Sequence, residues 1–143
     1  MIQISLEGQQ ELFDVFKHFD ERIQTQLVGR LANQVFDDVQ AGADAHTQTG
    51  ALADSVQMRS IKDGYEIFHD LQRAPHALFV HWGTRPHVIK PKNKKSLRWV
   101  SGNRFIFAKF VNHPGYKGDP YMVRATTDAK DHFEKLKRQL EIV

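Results

Sequence analysis

The fold of this chain depends on residues 79–121, FVHWGTRPHVIKPKNKKSLRWVSGNRFIFAKFVNHPGYKGDPY, which separate a helical beginning from a helical end. The stretch contains four of the five prolines, both tryptophans and a dense group of lysines and arginines. It starts with an apolar run that reaches a Gly-Thr turn, and it ends at a proline that can open a helix. We expect the stretch to build a contact surface.

Two strands are predicted in the second half of this stretch, at residues 97–100 and 105–111, with a turn at residues 101–103. In the second strand apolar side chains point to both faces, so either both faces are buried or one of them contacts a partner. Residues 85–96 carry two prolines and five basic residues. That composition is typical of a surface loop or a projecting hairpin arm.

The first part of the chain is dominated by apolar residues that recur at helical spacing between positions 12 and 39. They predict one long helix, or two consecutive helices that meet near residues 18–21, ending around Ala45. The apolar stripe is expected to face the core of the chain or, in part, a neighbouring subunit. Residues 2–6 are weakly strand-like.

A hairpin is predicted next, with strands at residues 55–60 and 65–69, because the Asp-Gly pair between them is a strong turn signal. One face of this hairpin is expected to be buried, with Tyr65 and Ile67 or Phe68 as apolar partners.

The closing elements are a short apolar segment at residues 77–82, helix or strand, and a final helix. Asp119 is the expected N-cap and Pro120 the first helical position of that helix, which runs to about Leu140. These elements predict a single α+β domain over residues 1–143. Its long N-terminal helix and C-terminal helix pack on a small, mostly antiparallel sheet, with a projecting basic loop or hairpin arm.

Composition narrows the possible classes of protein. A length of 143 residues suits one domain with a hydrophobic core. The absence of cysteine excludes a disulfide scaffold, a thiolate zinc site and a cysteine nucleophile. The first residues lack the basic and apolar regions of a signal peptide, and no apolar run is long enough for a membrane span. We therefore predict no membrane association and a cytoplasmic place of assembly.

Charge is unevenly distributed along the chain, although the net charge is only +3. Acidic residues crowd positions 7–54, whereas positions 85–117 are mostly basic. A ring-forming protein can use such asymmetry to join its copies head to tail. The alternative is that the two regions are simply solvated faces that differ in charge.

Two kinds of partner fit the basic part of the central stretch. Basic residues neutralise phosphates and an aromatic ring can stack on an unpaired base, which predicts a small nucleic-acid-binding module. Alternatively, a basic arm docks on an acidic face of a neighbouring subunit. The residues concerned are Lys90, Lys92, Lys94, Lys95, Arg98 and Trp99.

The sequence contains no pattern that indicates an enzyme. The histidines of the central stretch lack the tight spacing of metal ligands, so we predict no metal and no cofactor and expect these side chains to hydrogen-bond in loops or at an interface. Neither Ser96 nor Ser101 lies in a nucleophile motif, and no glycine-rich phosphate loop is present. Asp37 and Asp38 diverge by about 100° on a helix and are expected to be solvated.

A series of short motifs follows in a fixed order over residues 45–125. It comprises Thr49-Gly50-Ala51-Leu52 with Ser55-Val56, Phe79-Val80-His81-Trp82-Gly83-Thr84, Pro86-His87-Val88-Ile89-Lys90-Pro91-Lys92, Leu97-Arg98-Trp99, His113-Pro114-Gly115 and Pro120-Tyr121. This order resembles the phage tail-component family, whose members are tail-completion, or head–tail joining, proteins of long-tailed phages and prophages. The chain departs from the family pattern at His81, where an acidic residue is common, and at Tyr116, where a small residue is common.

The resemblance implies an α+β fold and a structural protein without catalysis. It implies that copies assemble into a ring, expected to be a hexamer, at the neck of the virion. The ring would lie between the head connector and the tail tube or tail terminator protein, with DNA passing through its lumen. The implied location is the virion, in its tail or neck, after assembly in the host cytoplasm.

A ring interface of this kind joins two different surfaces, and aromatic and arginine side chains often carry its binding energy. The predicted interface residues are Trp82, Arg85, His87, Lys90, Lys92, Lys94, Lys95, Arg98, Trp99 and Tyr121. For Trp82 and Trp99, a place in the core of the chain is the alternative.

Overall fold

The computed structural model describes residues 21–139 and shows the α+β fold that the sequence predicts. The expectations for residues 1–20 and for the last residue of the closing helix lie outside the described residues. The described elements are α1 (Glu21–Asp44), α2 (Ala51–Asp54), β1 (Val56–Ile61), β2 (Gly64–His69), α3 (Ala77–Trp82), β3 (Gly83–Thr84), β4 (His87–Ile89), β5 (Leu97–Ser101), β6 (Arg104–Ala108), β7 (Val111–His113), β8 (Tyr116–Lys117) and α4 (Tyr121–Gln139).

The core forms mainly between the two long helices, α1 and α4. The buried side chains of α1 recur every four residues, and those of α4 follow the same kind of stripe, so each helix turns one apolar face inward. Gly42 allows the helices to approach closely, because a Cβ atom there would lie 2.5 Å from the Cβ atom of Tyr121. The predicted end of the first helix is confirmed, since α1 ends at Asp44.

The predicted hairpin is confirmed as β1 and β2, which pair antiparallel across a turn at Lys62 and Asp63. Its buried face differs in detail from the expectation. Tyr65 is 39% exposed, whereas Ile67 packs against the core and Glu66 is buried. The Glu66 carboxylate has a charged partner across the strands, because Arg59 Nε donates to Glu66 Oε2 over 2.5 Å.

The segment 77–82 is a helix, α3, and the chain then leaves the core. Six short strands, β3 to β8, form a two-stranded antiparallel ribbon over residues 83–117, which we call the arm. No described residue of the arm belongs to the core cluster. Residues 85–96, predicted as a surface loop or hairpin arm, form β4 and the loop that follows it within this ribbon.

The pairing register changes within the arm. Ile89 pairs with Val111, and the next ladder begins where Leu97 pairs with Ala108. Between these pairs the outgoing strand has seven residues and the returning strand two. The five extra residues make the outgoing chain loop away from the ribbon at residues 90–96, KPKNKKS, which we call the side loop.

Candidate functional site: the projecting arm

The base of the arm is a close crossing of two chain segments that requires glycine. Gly83 and Gly115 have φ values of 79° and 88°, which favour glycine because a Cβ atom is strained there. A Cβ atom on Gly115 would also lie 2.5 Å from the carbonyl oxygen of Thr84. Substitution at either glycine would therefore displace the arm relative to α3.

Polar contacts fix the returning strand of the arm to the helices. His46, just after α1, contacts Asp119 Oδ2 through Nε2 at 2.6 Å, and its Nδ1 lies 3.3 Å from the hydroxyl of Tyr116 in the arm. Arg124 of α4 binds the other carboxylate oxygen of Asp119. The hydrogen bonds from Arg124 and His46 lower the pKa of Asp119 to about 2, so the carboxylate is charged at neutral pH.

The outer ladder of the arm, β5 with β6, exposes apolar side chains on one face that we call the phenylalanine face. Directly opposed residues of an antiparallel pair share a face, which groups Arg98 with Phe107 and Val100 with Phe105. Val100, Phe105 and Phe107 are 61–63% exposed. The guanidinium carbon of Arg98 lies 4.9 Å from the centroid of the Phe105 ring, a cation–π contact.

The opposite face of the same ladder, the tryptophan face, is also apolar. It carries Leu97 opposite Ala108 and Trp99 opposite Ile106. Trp99 and Ile106 remain 40% and 38% exposed. Residues 21–139 do not bury both faces of this ladder, so the second possibility that the sequence leaves, a partner on one face, stays open.

The arm is also strongly basic. Residues 85–117 contain nine lysines and arginines and no aspartate or glutamate, and all nine basic residues are exposed. Residues 21–54, by comparison, contain five acidic and two basic residues. Apolar faces and uncompensated positive charge therefore occupy the same projecting element.

The predicted interface residues separate into groups in the structure. Arg85 and His87 lie at the base of the arm, the four lysines lie at or in the side loop, and Arg98 and Trp99 lie on opposite faces of the outer ladder. Trp82 lies on α3 and is 64% exposed, so neither tryptophan is a core residue.

Tyr121 is a correction to the predicted interface. It is 2% exposed, packs against Gly42 and belongs to the core cluster. It is buried because the absence of a side chain at Gly42 leaves room for its ring between α1 and α4. In this conformation it offers no surface to a partner.

An open groove of about 740 Å³ lies between α3 and the base of the arm. Its walls include Phe79, Ile89 and the rings of His87 and His113, which stack with centroids 5.0 Å apart. Its lining is mostly apolar.

A buried polar network behind the arm was not predicted from the sequence. The Ser55 hydroxyl donates to the carbonyl oxygen of Leu52 over 2.6 Å, so it accepts from Nδ1–H of His69 at 2.7 Å. Nε2 of His69 then accepts from the Tyr121 hydroxyl at 2.7 Å. Burial, with a smaller contribution from His81, lowers the pKa of His69 to about 4, so its ring is neutral.

This network is suited to a structural role rather than to catalysis. Ser55 is fully buried, and its proton is committed to a backbone carbonyl rather than to the imidazole. His81 nearby is also buried, which lowers its pKa, and neither of its ring nitrogens has a hydrogen-bond partner among the described residues. The described histidines and carboxylates form no group of three or more that could hold a metal ion.

Comparisons with known proteins leave the resemblance to rest on the ordered motifs alone. No protein family, no curated protein and no solved structure matches the chain. Within residues 21–139, each helix is too short or too polar to span a bilayer. The arm is therefore the candidate functional site on physical grounds, because it carries most of the exposed large apolar side chains of the described residues together with nine exposed basic residues.

Proposed function

We propose that this protein is a non-enzymatic structural component of a long-tailed phage virion, which assembles through its arm into a ring at the head–tail junction. The proposal combines the ordered motif series with the α+β fold and the projecting arm. In this role the ring completes the tail and joins it to the head connector, contacts the tail tube or tail terminator protein, and lets DNA pass through its lumen. A hexamer is the expected stoichiometry.

The observation that carries the proposal is the exposure of apolar side chains on both faces of a projecting ribbon. Covering a largely exposed phenylalanine or valine contributes roughly 1–2 kcal/mol, and the phenylalanine face alone presents three such residues. Soluble monomers rarely leave patches of this kind uncovered, and larger ones mark interaction sites. A protein surface fits the arm because it can cover apolar faces and supply carboxylates for the lysines.

Light scattering on the purified protein tests self-assembly, with a defined oligomer as the expected result. The charge-reversal variant K92E/K94E/K95E should lower the oligomeric mass and impair the joining of heads to tails. A matched control is K62E/K130E/K135E, which changes net charge equally at exposed positions outside the arm. A strictly monomeric wild type that binds neither head nor tail proteins contradicts the proposed function. An unchanged infectious yield of K92E/K94E/K95E contradicts the role of the side loop.

A small nucleic-acid-binding module is the second candidate, and one observation favours it. The arm combines nine exposed basic residues, no acidic residue and an exposed Trp99 on a two-stranded ribbon, a shape that the major groove of DNA admits. This function predicts an affinity for DNA that falls steeply with salt. Fluorescence anisotropy at two salt concentrations separates the candidates, since ring assembly through apolar faces has a weaker dependence on salt.

A further inference from the structure

We propose that the arm of one copy binds residues 1–20 of a neighbouring copy. This inference rests on the proposed self-assembly and names the segment that covers the arm. It follows from three features of the chain: the chemistry that the arm requires, the composition of residues 1–20, and the places where the arm and α1 begin.

The chemistry of the arm requires an occupant that is both acidic and apolar. A second arm is a poor occupant, because nine positive charges on each side would repel. The exposed side of α1 supplies acidic residues such as Asp37 and Asp44, but its exposed positions are otherwise polar or small. It would leave the phenylalanine face without an apolar surface to contact.

Residues 1–20 have the missing combination. They contain four acidic residues and one lysine, and eight of the twenty are large aliphatic or aromatic residues in addition to Met1. The acidic residues are Glu7, Glu11, Asp14 and Asp20, and the apolar ones are Ile2, Ile4, Leu6, Leu12, Phe13, Val15, Phe16 and Phe19. No other stretch of similar length matches both the charge and the apolar faces of the arm.

The position of this segment points to a neighbouring copy rather than to the same chain. The base of the arm lies beside the C-terminal end of α1, where His46 contacts Tyr116. Residue 20 precedes Glu21 at the other end of this 24-residue helix, about 36 Å away at 1.5 Å per residue. The outer ladder makes its extensive contacts only between its own two strands, so it does not fold back along α1.

The consequence is a head-to-tail contact between unlike surfaces. The arm begins beside one end of α1, and the acidic segment joins the chain at the other end. Such heterologous contacts generate a ring when the rotation between copies closes and a filament when it does not. The arm and the segment would then be the two complementary surfaces that a ring subunit needs.

Cysteine cross-linking tests this contact directly, because the chain has no cysteine of its own. The single variants F13C and F107C, with tags of different mass, are mixed and treated with a short bismaleimide. A cross-linked heterodimer is expected, at least tenfold more abundant than from the control mixture of F13C with K62C. Lys62 is an exposed turn residue outside the arm, and its cysteine has comparable access to the reagent.

The outcomes separate this inference from the proposed function. If light scattering shows the oligomer but F13C cross-links to F107C no better than to K62C, the segment is not the occupant and self-assembly stands. If the double variant F13C/F107C cross-links within one chain at high dilution, the segment covers its own arm and the proposal is overturned. If no oligomer forms, either in solution or in the presence of head and tail proteins, both the inference and the proposed ring are wrong.

Charge exchange supplies a second, independent measurement. The segment variant E7K/E11K/D14K and the arm variant K92E/K94E/K95E should each lower the oligomeric mass. The chain that carries both sets again places opposite charges on the segment and the side loop, because the side loop then has one lysine and three glutamates, so its oligomer should return at least in part. A combined variant that is no better than either parent, with an unchanged far-UV circular dichroism spectrum, overturns the proposal.

Discussion

Replacement of Tyr121 by phenylalanine should destabilise the protein by about 1–3 kcal/mol. The variant keeps the ring against Gly42 and opens no cavity, so the change is confined to the hydroxyl. That hydroxyl donates to Nε2 of His69 over 2.7 Å, and both residues are buried. Without it the imidazole nitrogen is a buried acceptor with no partner, and desolvation of such a group costs about 1–3 kcal/mol.

The measurement is urea unfolding followed by far-UV circular dichroism, which reports the two long helices. Tryptophan fluorescence is a poorer probe, since Trp82 and Trp99 are exposed. With an m-value of ~1.5 kcal/mol/M for a domain of this size, the midpoint should fall by roughly 0.7–2 M. Protein concentration is held constant, because assembly adds to the apparent stability.

The matched control is Y65F, because the Tyr65 side chain is 39% exposed and its hydroxyl forms no part of the buried network. Its midpoint should stay within the equivalent of 0.5 kcal/mol of the wild type, the usual range for surface changes. If Y121F is as stable as Y65F, the hydroxyl does not satisfy His69, and the structural role assigned to the network is refuted.

Three further predictions concern pH, packing and the arm. The pKa of His69 is lowered from 6.5 to about 4, so between these pH values the unfolded chain binds a proton at His69 and the folded chain does not. The free energy of unfolding should therefore fall by about 3 kcal/mol from pH 7 to pH 4. In urea titrations at several pH values, H69Q should show a flatter dependence of stability on pH. G42A should lower the melting temperature because its methyl group meets Tyr121, whereas G29A on the same helix, with 3.7 Å to the nearest side-chain atom, should raise it by the helix propensity of alanine, up to ~1 kcal/mol. At concentrations where the protein is monomeric, F107S should leave the unfolding midpoint unchanged and reduce the binding of the dye ANS; a large loss of stability under these conditions would show that Phe107 is not the exposed residue described.

Local patterns predict the parts of the fold that depend on nearby residues. The four-residue spacing from Leu27 to Ala43 is enough to place α1 and its buried face, and the Asp-Gly turn is enough to place the β1–β2 hairpin. The burial of Tyr121 follows from Gly42, almost eighty positions away, and an aromatic residue after a proline gives no sign of it. The Ser55 network likewise depends on residues that meet only after α1 and α4 pack.

For the arm, too, the sequence predicts local features but not the tertiary contacts. Composition identifies the basic side loop, because proline and lysine suit exposed positions. The alternation of apolar residues in β6 predicts that both faces need cover, yet it does not say whether the chain provides that cover. The structure answers this question, because β5 pairs with β6 and no strand or helix of the described chain lies over either face of the pair.

Core and arm are mechanically linked through one short stretch, and this link bears on ring formation. Asp119 donates its backbone N–H to the carbonyl oxygen of Val80, and its carboxylate binds His46 and Arg124. The same residue therefore joins the end of α1, the start of α4 and the helix that precedes the arm. In a heterologous assembly the angle between the two contact surfaces decides whether copies close into a ring or extend as a filament. Closure of a ring requires a rigid base that fixes the direction of the arm relative to the long helix, and the close crossing at Gly83 and Gly115 provides one. The buried residues behind the arm would therefore determine the geometry of the ring without touching a partner.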